Sequence, residues 1–208
     1  MRSFFQILVL SLIAGGCVGC LKIDKPVYYT PQDKIMFEGS VSILGICEEG
    51  GQVAGSGFII DDHHVITAGH LAEACDAEGD FVVIVRDGKD SHMYLGVIVE
   101  VSKTDALKLY VEEKLPKAVA ITRDPVLVGQ ELCAISGYSA WLKKCGYASI
   151  VEGDVILVGI PVVPGNSGSP LFNNKGEVVG IIVAGNWNPS KEKFGLAVPV
   201  SEWKDLLD

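Results

Sequence analysis

From Ile35 onward the chain alternates short apolar runs with brief polar breaks. The main runs are SVSILGIC, GSGFII, HVITA, DFVVIVR, MYLGVIVEV, ALKLYV, AVAIT, ELCAIS, YASIVEG, VILVGI, GEVVGIIVAG and FGLAVPV. Most are rich in Val and Ile, whose stiff branched side chains suit a pleated surface, and Gly, Asp, Asn or Pro bounds them. This pattern predicts many short strands, hence an all-β barrel or sandwich. Turn chemistry falls between runs, as at Asp87-Gly88 and Asn173-Asn174-Lys175-Gly176. The strands form two groups, about 35–111 and about 119–200. The charged, Pro-containing stretch EEKLPKA separates them and reads as a linker. Two barrels of about six strands each are the natural interpretation. Helix is scarce. His70 to Cys75 fits a turn or two. Ser201 to Leu207 predicts a short C-terminal helix, with Ser201 as N-cap and Trp203, Leu206 and Leu207 on one face.

The first residues follow a different rule. Arg2 precedes an apolar run from Phe4 to Ala14, then Gly15, Gly16 and Cys17. A positive start, an apolar middle and small residues at a cut are the parts of a secretory signal. The run is too short for a comfortable membrane span. Ile13-Ala14-Gly15-Gly16-Cys17 also resembles the lipobox of bacterial lipoproteins, although Ala14 stands where Leu is usual. That resemblance implies lipidation at Cys17 and a membrane-anchored lipoprotein of the cell envelope. An ordinary secreted or periplasmic protein, or an uncleaved anchor, are the alternatives. Residues 1–20 are thus a leader. Residues 21–34, polar with two prolines, read as a tether, and 35–208 as the folded domain.

Composition narrows the partners. The chain has 208 residues, 49% hydrophobic, enough for one filled domain or two small subdomains. Its net charge is -9, and no Lys/Arg cluster exceeds the pair Lys143-Lys144, which argues against nucleic-acid binding. Beyond Cys17 and Cys20 there are four cysteines: Cys47, Cys75, Cys133 and Cys145. An even set in an exported chain suggests two disulfides, with three pairings open; four buried free thiols are the alternative. No metal site is expected, because His and Cys spacing does not match known ligand sets. No cofactor is expected either.

The strongest chemical signal is Pro164-Gly165-Asn166-Ser167-Gly168-Ser169-Pro170. Glycines on both sides of a serine allow a tight path that exposes a hydroxyl and aims backbone N–H groups at a developing oxyanion. An ordinary Gly-rich turn is the competing reading. Thr67-Ala68-Gly69-His70 offers a base, since small residues before the His let the imidazole reach a cleft. His63, His64 and His92 read as surface residues, the first two beside an Asp61-Asp62 turn. Asp105, at the start of ALKLYV, is placed to be buried against a His ring. Asp87, Asp90 and Asp124 compete with it, but lie in turn-like or linker segments.

The set GSGFII…HVITAGH, TDALKLY and PGNSGSPLFN…GEVVGIIVAG…FGLAVP resembles the trypsin-like (chymotrypsin-fold) serine peptidases. The likeness is greatest to the bacterial glutamyl-endopeptidase and high-temperature-requirement branches. The order His, Asp, Ser fits that fold and not the subtilisin or α/β-hydrolase order. The resemblance covers about 35–208. It implies two six-stranded antiparallel barrels, about 35–115 and about 119–200, with the active site in the cleft between them. It implies a serine endopeptidase with His70, Asp105 and Ser167 as triad, and Gly165 and Ser167 N–H groups as oxyanion hole. No PDZ module is expected beyond Asp208. The alternative is a weak or inactive binding protein on the same fold.

Several finer expectations rest on the same likeness. The pairings favoured are Cys47–Cys75, bracing the base, and Cys133–Cys145, across a hairpin. Asn166 replaces the Asp that trypsin-like zymogens pair with a new N-terminal amine, so no such activation is expected. The specificity pocket is implied at Pro161–Pro164, Val183–Gly185 and Phe194–Gly195. Val162, Val183, Ala184 and Gly185 are its named contacts. All are apolar or small, which favours an uncharged aliphatic or small aromatic residue before the cut and disfavours Lys or Arg. Ile182 stands where glutamyl endopeptidases carry a His. Lys108 interrupts the strand after Asp105, and Val183 replaces a serine that supports the Asp in many relatives.

Overall fold

A computed structural model describes residues 30–47, 50–75, 80–87, 90–138, 141–186 and 193–208. The leader with Cys17 and Cys20, and tether residues 21–29, lie outside the described residues.

The first group of strands closes on itself. β1 (Ser40–Ile46), β2 (Gln52–Ile59), β3 (His64–Ala68), β4 (Asp80–Asp87), β5 (Asp90–Val101) and β6 (Ala106–Val111) form an antiparallel barrel in the order β1-β2-β3-β6-β5-β4. Its alternate residues point inward. Val41, Ile43, Val65, Phe81, Val83, Leu107 and Leu109 are fully buried and form its core.

The second group repeats the scheme. β8 (Glu131–Ser136), β9 (Leu142–Glu152), β10 (Val155–Val158), β11 (Pro170–Phe172), β12 (Glu177–Asn186) and β13 (Phe194–Pro199) follow the order β11-β8-β9-β10-β13-β12, and a β11–β12 pairing closes the ring. β7 (Ala120–Ile121) runs parallel along β12 outside it. Leu132, Ile156, Val158, Leu171 and Ile182 fill this barrel. The expected pair of six-stranded antiparallel barrels is therefore present.

A third cluster lies between the barrels. Phe58, Ile66 and Ala106 of the first meet Ile135, Phe172, Val178 and Ile181 of the second. Trp203 completes it, 1% exposed, edge-on to Phe58 at 6.1 Å with Nε1 donating to the Val198 carbonyl. Burying an indole here is worth several kcal/mol, about what Trp-to-Ala changes in cores cost.

Two boundaries differ from the sequence reading. The last residues read as tether, 31–34, are the start of helix α1 (Pro31–Gly39). Thr30 caps the helix through Asp33 N–H, and Pro31 fits the first turn, where no N–H is needed. Asp33 is buried and accepts a 2.6 Å bond from Lys143 Nζ. Burial pushes its carboxyl up, but the Lys143 ammonium and Thr30 outweigh this and hold it below the usual carboxylate range. The C-terminal helix is two 3₁₀ turns, Val200–Glu202 and Lys204–Leu207, and Ser201 makes no cap bond. A repeat of three residues aligns Trp203 with Leu206, and both are 1% exposed. The linker 112–118 is pinned, with Leu115 buried and its N–H bonded to the Asp62 carbonyl.

Candidate active site

Strand pairing builds the base. β3 and β6 pair so that Ala68 faces Ala106, which brings Asp105 opposite Gly69. Gly69 N–H donates to the Asp105 carbonyl at 3.1 Å. His70 opens helix α2 (His70–Glu73), and its backbone N–H donates to Asp105 Oδ1 at 2.7 Å. The imidazole Nδ1 lies 3.1 Å from Oδ1 and 2.9 Å from Oδ2. A carboxylate only accepts, so Nδ1 carries the proton and Nε2 is the basic nitrogen. Asp105 adopts φ 60°, a left-handed conformation that Asp tolerates better than most residues. The hydrogen bond that His70 Nδ1 donates to Asp105 raises the His70 pKa above its ordinary 6.5. Burial opposes the shift, while the charges of Asp105 and Glu73 add to it.

The Asp105 carboxylate is supported from its own barrel. Val183 has no hydroxyl to offer; the His70 backbone N–H takes up Oδ1 instead. Lys108 sits half-buried within β6 without breaking its pairing to β3 and β5.

The nucleophile loop meets this unit from the second barrel. Ser167 O accepts from Ser56 N–H at 2.7 Å, and Gly168 N–H donates to the Ile182 carbonyl at 2.7 Å. Gly168 has φ 84°, and a Cβ there would overlap Ser56 O and Thr67 Oγ1, so only glycine fits. These contacts set Ser167 against β2 and the end of β3, three residues before His70. Ser167 is half-exposed, and its Oγ makes no hydrogen bond among the described residues. Catalytic contacts in free enzymes are often long and tighten with substrate.

The loop carrying Ser167 is bent so that its backbone N–H groups lie close together in the chain. Asn166 N–H donates to the Val163 carbonyl at 3.0 Å, closing a turn in which Gly165 takes φ 89°. Among the described residues, neither Gly165 N–H nor Ser167 N–H is spent on another protein acceptor. Two such adjacent donors suit an oxyanion. Asn166 is 4% exposed; its Oδ1 accepts from Val163 N–H at 3.0 Å and its Nδ2 donates to Ser136 Oγ at 2.8 Å.

Sequence reasoning missed the residues that hold this loop. Ser56 Oγ donates to the Gly165 carbonyl at 2.8 Å and lies 3.0 Å from Ser136 Oγ. Its carbonyl accepts from Thr67 Oγ1 at 2.6 Å. Lys144 Nζ reaches Pro161 O at 3.1 Å and Asn166 Oδ1 at 3.4 Å. A signal for Ser56 was present, since it stands between two glycines in GSGF. None pointed to Ser136 or Lys144.

The pocket residues separate. Val162 packs between Gly185 and Gly195, whose Cβ positions its side chain would overlap. Val183 leans on the inter-barrel core, and Ala184 is exposed. Ile182 is fully buried in the second core. His92, Asp90 and Asp124 are exposed, and His64 is bonded to Asp61. Both disulfides form as paired in the sequence reading. Cys47–Cys75 ties the end of β1 to the residue two beyond α2, and Cys133–Cys145 bridges β8 and β9.

Comparison with known proteins gives the family and the fold. A family model described as Trypsin-like peptidase domain matches residues 55–181. A probable periplasmic serine endoprotease, DegP-like, of Pseudomonas putida (strain GB-1) is 31% identical over 186 residues, 81% of this chain and 37% of that protein. The putative serine protease HhoA of Synechocystis is 30% identical over 168 residues, 73% of this chain and 41% of that protein. The chain thus spans well under half the length of these relatives. Among solved structures, the Rv3671c protease from M. tuberculosis, active form, superposes with a TM-score of 0.72 at 17% identity, covering 85% of this chain and 82% of that one. Deg5 superposes with a TM-score of 0.68 at 22% identity, covering 84% of this chain and 89% of that one.

Proposed function

The chain belongs to the trypsin-like peptidase family, and we propose that it is a serine endopeptidase using Ser167, His70 and Asp105. Ser167 Oγ attacks the scissile carbonyl while His70 Nε2 takes its proton. Asp105 holds the ring tautomer and stabilises the imidazolium. The carbonyl oxygen, now negative, takes N–H bonds from Gly165 and Ser167. His70 returns the proton to the leaving amine, and water then hydrolyses the acyl-enzyme by the same route reversed. The observation that carries this reading is the His70–Asp105 pairing beside two uncommitted backbone donors.

The substrate is a polypeptide. Val162 fills the space between Gly185 and Gly195, which favours a small aliphatic residue before the cut. Asn166, already bonded to Val163 N–H and Ser136 Oγ, needs no buried amine, so no activation by insertion of a newly cut N-terminus is required. The leader, the two disulfides and the periplasmic naming of the relatives support an exported protein, with a lipid on Cys17 as its anchor.

A fluorophosphonate probe tests the reading. It should label Ser167 in the folded protein and leave Ser167→Ala unlabelled. Folded protein without label would instead mark an inactive binding protein on this fold. Palmitate or glycerol labelling, lost in Cys17→Ser, tests the anchor.

A further inference from the structure

The two neighbouring lysines of β9 have opposite fates. Strand alternation sends them to opposite faces of the strand. Lys143 turns towards α1 and pairs with Asp33 at 2.6 Å. Lys144 turns inward, behind the nucleophile loop, and lines a small cavity with Ser136, Pro161, Asn166 and Ser169. Among the described residues no carboxylate lies within ion-pair distance of its ammonium. Its partners are two neutral oxygens of one loop, Pro161 O and Asn166 Oδ1. Burial lowers its pKa from the ordinary lysine value, with no counter-charge to offset it.

A half-buried ammonium without a carboxylate is a costly way to fill space. Its contacts show what it achieves. Pro161 enters the loop and Asn166 sits at its centre, between the two proposed oxyanion donors, Gly165 and Ser167. We propose that Lys144 is a positioning residue, a built-in ammonium that straps the oxyanion loop from behind through Pro161 O and Asn166 Oδ1. The inference rests on the peptidase reading of that loop. It supplies from within the chain a cation at the buried face of the loop. Asn166 suits this cation, since its Oδ1 can accept from Lys144 while its Nδ2 donates to Ser136. The β8–β9 pairing, with Ala134 opposite Lys144 and the Cys133–Cys145 link beside it, sets the register that aims it.

Lys144→Met keeps the alkyl stem and removes the ammonium. A strap acts through the donors, so the loss should be smaller than deleting a donor outright. We expect kcat to fall about 10- to 100-fold with KM within about twofold. Fluorophosphonate labelling of Ser167 should slow in parallel, with the thermal midpoint unchanged. Amide hydrogen exchange over 161–169 should quicken about tenfold or more in the variant. In Lys144→Ala, added ethylammonium should restore part of the rate, which it should not do in Lys144→Met. Wild-type kcat and wild-type loop exchange in Lys144→Met would overturn the strap. So would a rate loss explained by a lower thermal midpoint with unchanged loop exchange. Failure of the wild-type protein to label at Ser167 would overturn the peptidase reading instead, and the exchange comparison would still decide the role of Lys144.

Discussion

The two barrels share one strand order yet present their chemistry by different means. The first offers His70 and Asp105, brought together by adjacent β3 and β6 and fixed by backbone bonds within a few residues of each. The second offers Ser167 on a loop that strand pairing alone does not fix, held by its own barrel and by the other together. Ser56, from the other barrel and 109 residues before its Gly165 partner, grips one side. Ser136 and Lys144 grip the back. A side chain fixed by strand pairing needs little else. A loop that must aim two backbone N–H groups needs buried polar supports from several elements.

The sharpest break of this comparison is on the base side. Asp105→Asn should lower kcat about 10⁴-fold, because an amide donor next to Nδ1 stabilises the wrong tautomer. It should also move the pH profile. In the proposed mechanism neutral His70 is the base, so kcat/KM should rise with pH through the His70 pKa, which Asp105 raises above 6.5. Without the carboxylate hydrogen bond and charge, burial remains as the main influence and lowers it. The midpoint of the residual kcat/KM should therefore fall. An unchanged midpoint would mean Asp105 is not the partner that sets it.

Each barrel has one disulfide, and their removal separates stability from positioning. Cys47–Cys75 spans 28 residues and Cys133–Cys145 spans 12. Loop entropy gives costs of about 3.5 and about 3 kcal/mol for the double Ser variants, read from denaturant midpoints. The first also frees the segment just after α2, so Cys47→Ser/Cys75→Ser should lose more kcat. The second bridges strands already paired at the same register, so activity should be largely kept. The reverse ranking in kcat would show that the base side relies less on its own barrel than the geometry implies.

Ser56→Ala should weaken the nucleophile side alone. It strips Gly165 O and Ser136 Oγ of a buried partner, at about 1–3 kcal/mol of stability. We expect kcat down about tenfold from a looser oxyanion loop, with the kcat/KM pH midpoint unmoved. A shifted midpoint would show that the two sides are not independent. Such supports also mark the limit of what the sequence reveals. Strands were legible because Val and Ile runs between turn residues have few alternatives. The candidates His70 and Ser167 stood out through the small residues and glycines around them, and Asp105 through order and strand context. Ser136 and Lys144 were not, because their partners lie across the strands of a closed barrel, and no local spacing encodes barrel closure. Helix α1 was half-legible. Thr30-Pro31-Gln32-Asp33 is a capping pattern, but the prolines of residues 21–34 weighed towards a tether.

The residues of the proposed specificity pocket all belong to the second barrel, so altering them should change what is cut and not how. Val162 stands between Gly185 and Gly195, each lacking a side chain where Val162 needs room. Replacing the isopropyl group by hydrogen in Val162→Gly opens that space towards the second core. Selection should then move from small aliphatic residues towards Leu and Phe, by about tenfold to a hundredfold in relative kcat/KM. Val162→Ala should fall between. Peptide-library profiling of the three proteins checks this, with the kcat/KM pH profile measured alongside. The profile should stay fixed, because His70 and Asp105 belong to the other barrel and touch none of these residues. If cleavage preference does not change while the protein remains folded, Val162 is packing for Gly185 and Gly195 alone, and the residue before the cut is read elsewhere on the cleft.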